Sequence, residues 1–392
     1  MTTDTHPFPR LTRRLRTARR SCRFAAIFFA IALILAAGSC VSPERTPLSF
    51  LDSSEHHTYT GMVLINQNKL DDAEREFSLA IQLNRESSLG HAGIALVNAH
   101  RGNLKSAFES VEKAQQYARR DRERLLTHIV KIQLFTMSRR NDWIDRAEQE
   151  FKSAVAVDPR SSAAWYFMGR ALVMNHEFSR AGMHFIKVLD LNDEYIEQAD
   201  EAWKRMKQIL VLGPLSDQVE EVVIADRVNR CQMALLLVEE LEIEDLYRGL
   251  AKYGGTSDSA LDVPDIQSCS YADEIKKIVA IGVKGLEVYP DGKFYPNDLV
   301  TRLNLAIALY DILVGIWGEE PVFRYTEEGP FVENIDYRHP NYKAVMTITS
   351  LDIMSSDFFD SSRLAPYAPL SGADALTAIR KLKDVLLIGF GR

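Results

Sequence analysis

Four alanines set the strongest constraint on what this chain can fold into. Ala73, Ala107, Ala147 and Ala181 follow one another at intervals of 34, 40 and 34. The segments around them superimpose without gaps: LDDAEREFSLAIQLN at 70–84, LKSAFESVEKAQQY at 104–117, IDRAEQEFKSAVAVDP at 144–159 and FSRAGMHFIKVLDLN at 178–192. The wider middle interval is the same period plus a six-residue insertion near Asp121 to Thr127. Each alanine is followed four residues later by Phe77, Val111, Phe151 or Phe185, and three further on by Ala80, Ala114, Ala154 or Val188. Apolar positions at this spacing mark one face of an α-helix. A fixed period of this length marks stacked helical units, each burying its face against the next.

Helix packing explains which positions stay small. Where the two helices of a unit cross closely only Gly or Ala fits, which pairs Gly61 with Ala73, Ala95 with Ala107 and Gly169 with Ala181, while the aromatics fill the groove to the next unit. The third unit has Phe135 at the small position, so its helix pair is either splayed or set in another register. These segments resemble the tetratricopeptide repeat, a helix-turn-helix of about 34 residues. The fourth unit matches it through Trp165, Gly169, Leu172, Ala181 and Phe185. The resemblance implies an all-α solenoid over residues 55–195 whose first helices line a concave surface for an unknown protein or peptide partner. In this register the inward positions include Asn66, His100, Arg139, Tyr166 and Arg170. Arg and Tyr are frequent interface anchors, and a solvated helix face carries the same residue types.

A helix around Glu194 to Leu212 meets the stop signals Gly213 and Pro214, so residues 196–215 read as a connecting helix and linker. A second repeat family follows: VNRCQMALLLVEEL at 228–241, VTRLNLAIALYDIL at 300–313 and LSGADALTAIRKL at 370–382. Arg230, Arg302 and Gly372 are equivalent, at intervals of 72 and 70, and each opens a helix behind a capping residue. Ahead of the second copy stands LDVPDIQSCSYADEIKKIVAIGVKGLEVYPDGKFYPND at 261–298.

Together these copies resemble the S-layer homology module. Its pattern runs from an Asp-Val-Pro start through an aromatic-led helix and a Pro-Asp-Gly-x-Phe-x-Pro-Asn turn to a Thr-Arg-Ala-Glu helix start. The middle copy carries Asp262, Val263, Pro264, Tyr271, Gly282, Gly285, Pro290, Asp291, Gly292, Phe294, Pro296, Asn297, Thr301 and Arg302. The resemblance implies three degenerate, mostly helical modules over residues 216–388, packed around a pseudo-threefold axis. It also implies a cell-wall polymer, peptidoglycan or polysaccharide, bound between modules, with Arg230, Arg302, Thr301 and Asp262 as candidate contacts. A guanidinium suits that role because its fixed donor fork matches carboxylate oxygens, reinforced by the helix N-terminus beside it. The pattern is incomplete: Gly372 replaces the third Arg, and Gln232 and Asn304 replace the acidic residue that only Asp374 retains. Two working grooves and a purely structural trimer are both compatible with these losses.

The stretch from Met1 to Arg23 holds seven Arg and one Asp, and the uncharged run Phe24 to Gly38 follows. A basic stretch ahead of a short apolar run reads as an export signal over residues 1–39. The run is short for a spanning helix, which needs about 20 apolar residues; an uncleaved anchor is the alternative. Leu35, Ala36, Ala37, Gly38, Ser39 and Cys40 resemble a bacterial lipobox, with Ala37 at a position that usually holds Leu. That resemblance implies lipidation at Cys40, a membrane anchor through palmitate-like chains, and a tether over residues 40–54. Val41 after the cysteine suggests an outer-membrane position facing the periplasm. Cys231 and Cys269 remain in the body, either as one disulfide or as two separate thiols.

The chain carries a net charge of −7, and −13 once the basic leader is set aside, which argues against nucleic acid as a partner. It contains no Gly-rich phosphate loop, HExxH or GxSxG, and no Cys/His spacing for a metal; the Pro-Asp-Gly turn lacks the ligand series of a calcium loop. The expectation is a non-enzymatic envelope scaffold without cofactor or metal. The alternative is a periplasmic adaptor of an export or assembly system in which the second set of repeats is only structural.

Overall fold

The computed structural model describes residues 45–49, 52–248, 263–327, 335, 337–355 and 366–389. The expected export signal over residues 1–39, the expected lipidation site Cys40 and the candidate contact Asp262 lie outside the described residues. Among those described, 17 helices form, and the only β pairing consists of two isolated bridges. The chain divides into two compact units, one up to Val130 and one from Lys131 onward.

The first unit contains α1 (Ser54–Asn66), α2 (Leu70–Leu83), α3 (Ser88–His100), α4 (Leu104–Tyr117) and the start of α5 (Asp121–Ser138). Ser53 and Ser87 cap α1 and α3, their hydroxyls accepting from the backbone N–H of His56 and Gly90. The repeated alanines behave as their spacing requires: Ala73, Ala80, Ala107 and Ala114 are fully buried. The tightest approach to the small residues comes from an aromatic ring. A methyl on Gly61 would sit 2.6–2.9 Å from the Phe77 ring, and one on Gly93 would overlap the same ring. Phe77 is therefore wedged against the first helix of its own repeat and that of the next, and both helices must carry glycine where it lands.

The second unit continues with the rest of α5 and with α6 (Trp143–Val157), α7 (Ser162–Met174), α8 (Phe178–Leu191) and α9 (Ile196–Leu212). The wedge recurs where Gly169 meets Phe185, at 2.7 Å from an added methyl. At the exceptional position, Phe135 lies under the Arg146 guanidinium, 5.8 Å from the ring centre. A cleft of about 460 Å³ opens there, lined by Phe135, Asp142, Asp145, Arg146, Gln149 and Glu150. The aromatic thus stands where other units have a tight crossing, and Lys131 and Glu150 meet beside it at 3.5 Å. Helix α9 is no free linker: Trp203 sits where a methyl on Gly182 would be, 2.6 Å away.

The modules follow as α10 (Asp217–Val223), α11 (Arg230–Glu239), α12 (Ile243–Arg248), α13 (Ala272–Ile281), α14 (Arg302–Trp317), α15 (Glu319–Glu327), α16 (Tyr342–Ser350) and α17 (Gly372–Gly389). Their closure is a ring of three backbone hydrogen bonds. Val228 N–H donates to Leu370 O (3.0 Å), Leu370 N–H to Val300 O (3.3 Å) and Val300 N–H to Val228 O (2.9 Å). These residues each stand two before Arg230, Arg302 and Gly372, so the ring realises the pseudo-threefold register directly, and all three are buried. Helix α9 joins the same body through Gln208, whose amide donates to Asp374 (3.2 Å) and Thr377 (2.9 Å) of α17.

Candidate functional site

The three equivalent helix starts are built alike. Asn229 with Gln232, Thr301 with Asn304 and Ser371 with Asp374 form reciprocal caps, the first side chain accepting from the backbone N–H three residues on. In the first two copies the later side chain accepts the cap residue's own N–H; in the third, Asp374 accepts the Ser371 hydroxyl at 2.8 Å. This explains the neutral replacements at 232 and 304, because an amide oxygen satisfies the cap as a carboxylate does. The Thr301 hydroxyl is engaged in that cap, donating to Asn304 at 2.6 Å.

Arg230 is turned inward. The resemblance implies a guanidinium facing a groove; here the residue is 5% exposed and donates to three backbone carbonyls. These are Phe294 O (2.8 Å), Gly285 O (2.9 Å) and Glu287 O (2.7 Å), all in the segment joining α13 to α14. The Phe294 and Tyr289 rings flank the cation at 4.4 and 5.1 Å. Burial pulls its pKa below the usual arginine value, and the surrounding tyrosine and carboxylates offset part of that. Arg230 thus fastens the second copy's turn to the first copy's helix. The disulfide between Cys231 and Cys269, with Cα atoms 6.4 Å apart, ties the same two copies covalently, which resolves the open pairing of those thiols.

Asp265 completes the fastening, a residue that the motif reading passed over. Its carboxylate accepts from Phe294 N–H (2.9 Å) and Tyr295 N–H (2.7 Å). Tyr295 is thereby held at φ 55, a left-handed conformation unusual for an aromatic residue. Its ring meets Tyr289 edge-on at 5.4 Å, and its hydroxyl donates to Asp291 at 2.5 Å. That bond raises the Tyr295 pKa and lowers that of Asp291. Tyr289 is 45% exposed, and the third copy displays Tyr337 and Tyr367 at 72% and 63%. No motif position marked these tyrosines; for Tyr289 and Tyr295 the available signal was a pair of aromatics flanking the Pro-Asp-Gly turn at 290–292.

Arg302 opens α14 half-buried, its backbone N–H donating to Ala368 O at 3.1 Å. Burial lowers its pKa and Asp374 acts in the opposite sense. Gly372 has no room for a side chain, because an added methyl would overlap the Val222 carbonyl oxygen of α10.

In the first unit, Asn66 and His100 are exposed at the ends of α1 and α3. In the second, Arg139 is exposed at φ 41, with Nη2 3.6 Å from Met174 Sδ. Tyr166 stacks on Tyr195, ring centres 4.9 Å apart, and Arg170 lies exposed beside it. Burial raises the pKa of both tyrosines, that of Tyr195 to about 12. Among the described residues no group of three or more His, Cys, Asp or Glu could hold a metal ion, and no helix is long and apolar enough to cross a membrane.

Comparison with known proteins gives one family match, to the S-layer homology domain, over residues 262–303. No curated protein matches the chain. Among solved structures, one described as a functional characterization of PilF from Pseudomonas aeruginosa is 16% identical, with a TM-score of 0.30, covering 50% of this chain and 92% of that one. The family match therefore places an S-layer homology domain at residues 262–303, behind the helical repeats of the preceding chain.

Proposed function

We propose that this protein is a non-enzymatic envelope scaffold. It is exported and lipid-anchored at Cys40 on an outer membrane facing the periplasm, binds cell-wall polymer through its three modules, and recruits a protein partner on the repeats. The observation that carries the reading is the match at residues 262–303 within a ring that closes through Val228, Val300 and Leu370. Such a domain associates a chain with the envelope, and helical repeats of this kind serve protein interaction. Because Arg230 is engaged with carbonyls, polymer contact falls to the half-buried Arg302 and to the exposed ring of Tyr289, whose apolar face and polar tip suit a sugar. Asn66 and His100 on one unit, and Arg139, Tyr166 and Arg170 on the other, are the proposed partner contacts.

Co-sedimentation of the protein with purified peptidoglycan sacculi tests this reading. Parent protein should pellet, and Tyr289→Ala should remain in the supernatant while still unfolding cooperatively, at a somewhat lower temperature because the ring also covers Arg230. A parent that stays in the supernatant at every salt and pH overturns wall binding for that polymer. The inward Arg230 favours a second reading, an export or assembly adaptor whose modules only support the repeats. It predicts that supernatant outcome together with intact folding.

A further inference from the structure

Ahead of the first repeat, residues 45–49 and Asp52 are fastened to α1 and α2. Arg45 N–H donates to Gln82 O at 2.8 Å, and Leu48 N–H to Asp52 Oδ2 at 2.6 Å. The Arg45 guanidinium reaches the same carboxylate oxygen at 2.9 Å. The other oxygen, Asp52 Oδ1, lies 2.9 Å from His57 Nε2, and His57 Nδ1 lies 2.6 Å from Glu76 Oε2 on α2. The His57 side chain is 13% exposed and that of Asp52 is 9%. Three elements, the leading segment, α1 and α2, thus meet at one imidazole.

A ring with a carboxylate at each nitrogen is satisfied in one protonation state only. The imidazolium has two N–H groups and donates to both partners; the neutral ring keeps one, so its other nitrogen presents a lone pair to a carboxylate. We infer that Asp52, His57 and Glu76 form a pH-sensitive clasp that holds the leading segment on the first repeat while His57 is protonated and frees it when the ring loses its proton. The charged and titratable groups around the ring are Asp52 and Arg45 from the leading segment, Glu76 from α2, and His56 from α1 itself, 5.9 Å away. Glu55, also on α1, is turned to Arg120 at 3.7 Å.

The direction follows from linkage. Burial alone would lower the His57 pKa, but its hydrogen bonds to Glu76 and Asp52 outweigh that and raise it. The clasp is therefore complete below the ordinary histidine value of about 6.5 and is lost as pH rises through the raised one. The Asp52 pKa is lowered, chiefly by the bond to His57 and then by the Leu48 N–H. Its contribution is present above about 3.9 and fades as pH falls through the lowered value. Closure thus spans the window between the two groups. The consequence for reach rests on the proposed anchor, unlike the clasp itself. Cys40 stands five residues before Arg45, which allows a span of at most about 17 Å, and release adds up to about 25 Å of extended chain.

Hydrogen exchange on the full chain reads the clasp without reference to lipid or wall polymer. Protection at Arg45 and Leu48, corrected for intrinsic rates, should be lost between about pH 5.5 and 9 as the raised His57 pKa is passed, while α3 and α4 stay protected. Glu76→Gln supplies an amide N–H to the deprotonated nitrogen, so protection in that variant should persist at pH 9. Flat protection across pH in the parent, or the same fall in Glu76→Gln with α3 and α4 intact, overturns the inference.

Discussion

Gly372→Ala probes the ring at its tightest junction. The added Cβ would overlap the Val222 carbonyl oxygen and lie 2.7 Å from the carbonyl carbon and 2.8 Å from Val223 Cα. Carbon atoms in contact rest about 3.5–4.0 Å apart, so the shortfall is about 1 Å, against backbone that cannot swing aside. Helix α10 has little freedom to retreat, since Val219, Val222 and Val223 are buried and Ala225 O accepts the Gly372 N–H at 3.0 Å. Propensity acts in the other direction: Ala is favoured over Gly by about 1 kcal/mol inside a helix, and by less at a first position. Overpacking costs about 1–3 kcal/mol, with backbone clashes at the upper end, so the net is about 2 kcal/mol of destabilisation. For a domain of this size that corresponds to a drop of about 4–8 °C. Trp143, Trp165, Trp203 and Trp317 all lie in the second unit, so a thermal melt followed by tryptophan fluorescence reads that unit alone. Gly372→Arg, which restores the side chain of the other two copies, should fare worse still. A Gly372→Ala protein melting within about 1 °C of the parent, or a Gly372→Arg protein as stable as the parent, would refute the steric reasoning.

Three further outcomes follow from the same contacts. Arg230→Ala leaves three carbonyls of the turn without their donor and should cost about 3–5 kcal/mol in the fluorescence melt; Arg230→Lys should recover less than half, because one ammonium cannot reach three carbonyls as a guanidinium does. Reduction of the Cys231–Cys269 bridge, which closes a separation of 38 residues, should lower stability by about 4 kcal/mol in denaturant titrations with and without reductant. Phe77→Ala removes the ring wedged against Gly61 and Gly93 and should cost about 3–5 kcal/mol, read as lost amide protection in α1, α2 and α3.

The repeats were legible in the sequence because their packing is local and periodic. Ala73, Ala107, Ala147 and Ala181 are small for one geometric reason, repeated, and periodicity exposes that reason without coordinates. Gly61 is subtler: the sequence marks it as small, but only the fold reveals that the Phe77 ring demands it. In the modules, the equivalence of Arg230, Arg302 and Gly372 could be read from spacing, and the ring through Val228, Val300 and Leu370 follows that register residue for residue. The direction of the Arg230 side chain could not be read. A guanidinium at a helix start serves an anion or a set of carbonyls equally well, and the choice depends on Gly285, Glu287 and Phe294, more than fifty residues away. Asp265 escaped notice for the same reason, since its partners are the backbone N–H groups of a turn about thirty residues downstream.

The two gaps in the module pattern are complementary. In the second copy, residues 282–301 join α13 to α14 and form the turn that receives Arg230 from the preceding copy. In the first copy α10 reaches α11 through residues 224–229 alone, so no such turn exists to receive a guanidinium from the third copy. The backbone at Val222 and Val223 closes on position 372 instead, and only glycine fits. A turn without an arginine would leave carbonyls unsatisfied, and an arginine without a turn would collide with α10; losing both together costs neither penalty. The degenerate copies therefore preserve the ring's closure. Missing motif residues at these junctions consequently say little about polymer binding, which has to be judged on what the modules display to solvent, such as Tyr289, Tyr337 and Tyr367.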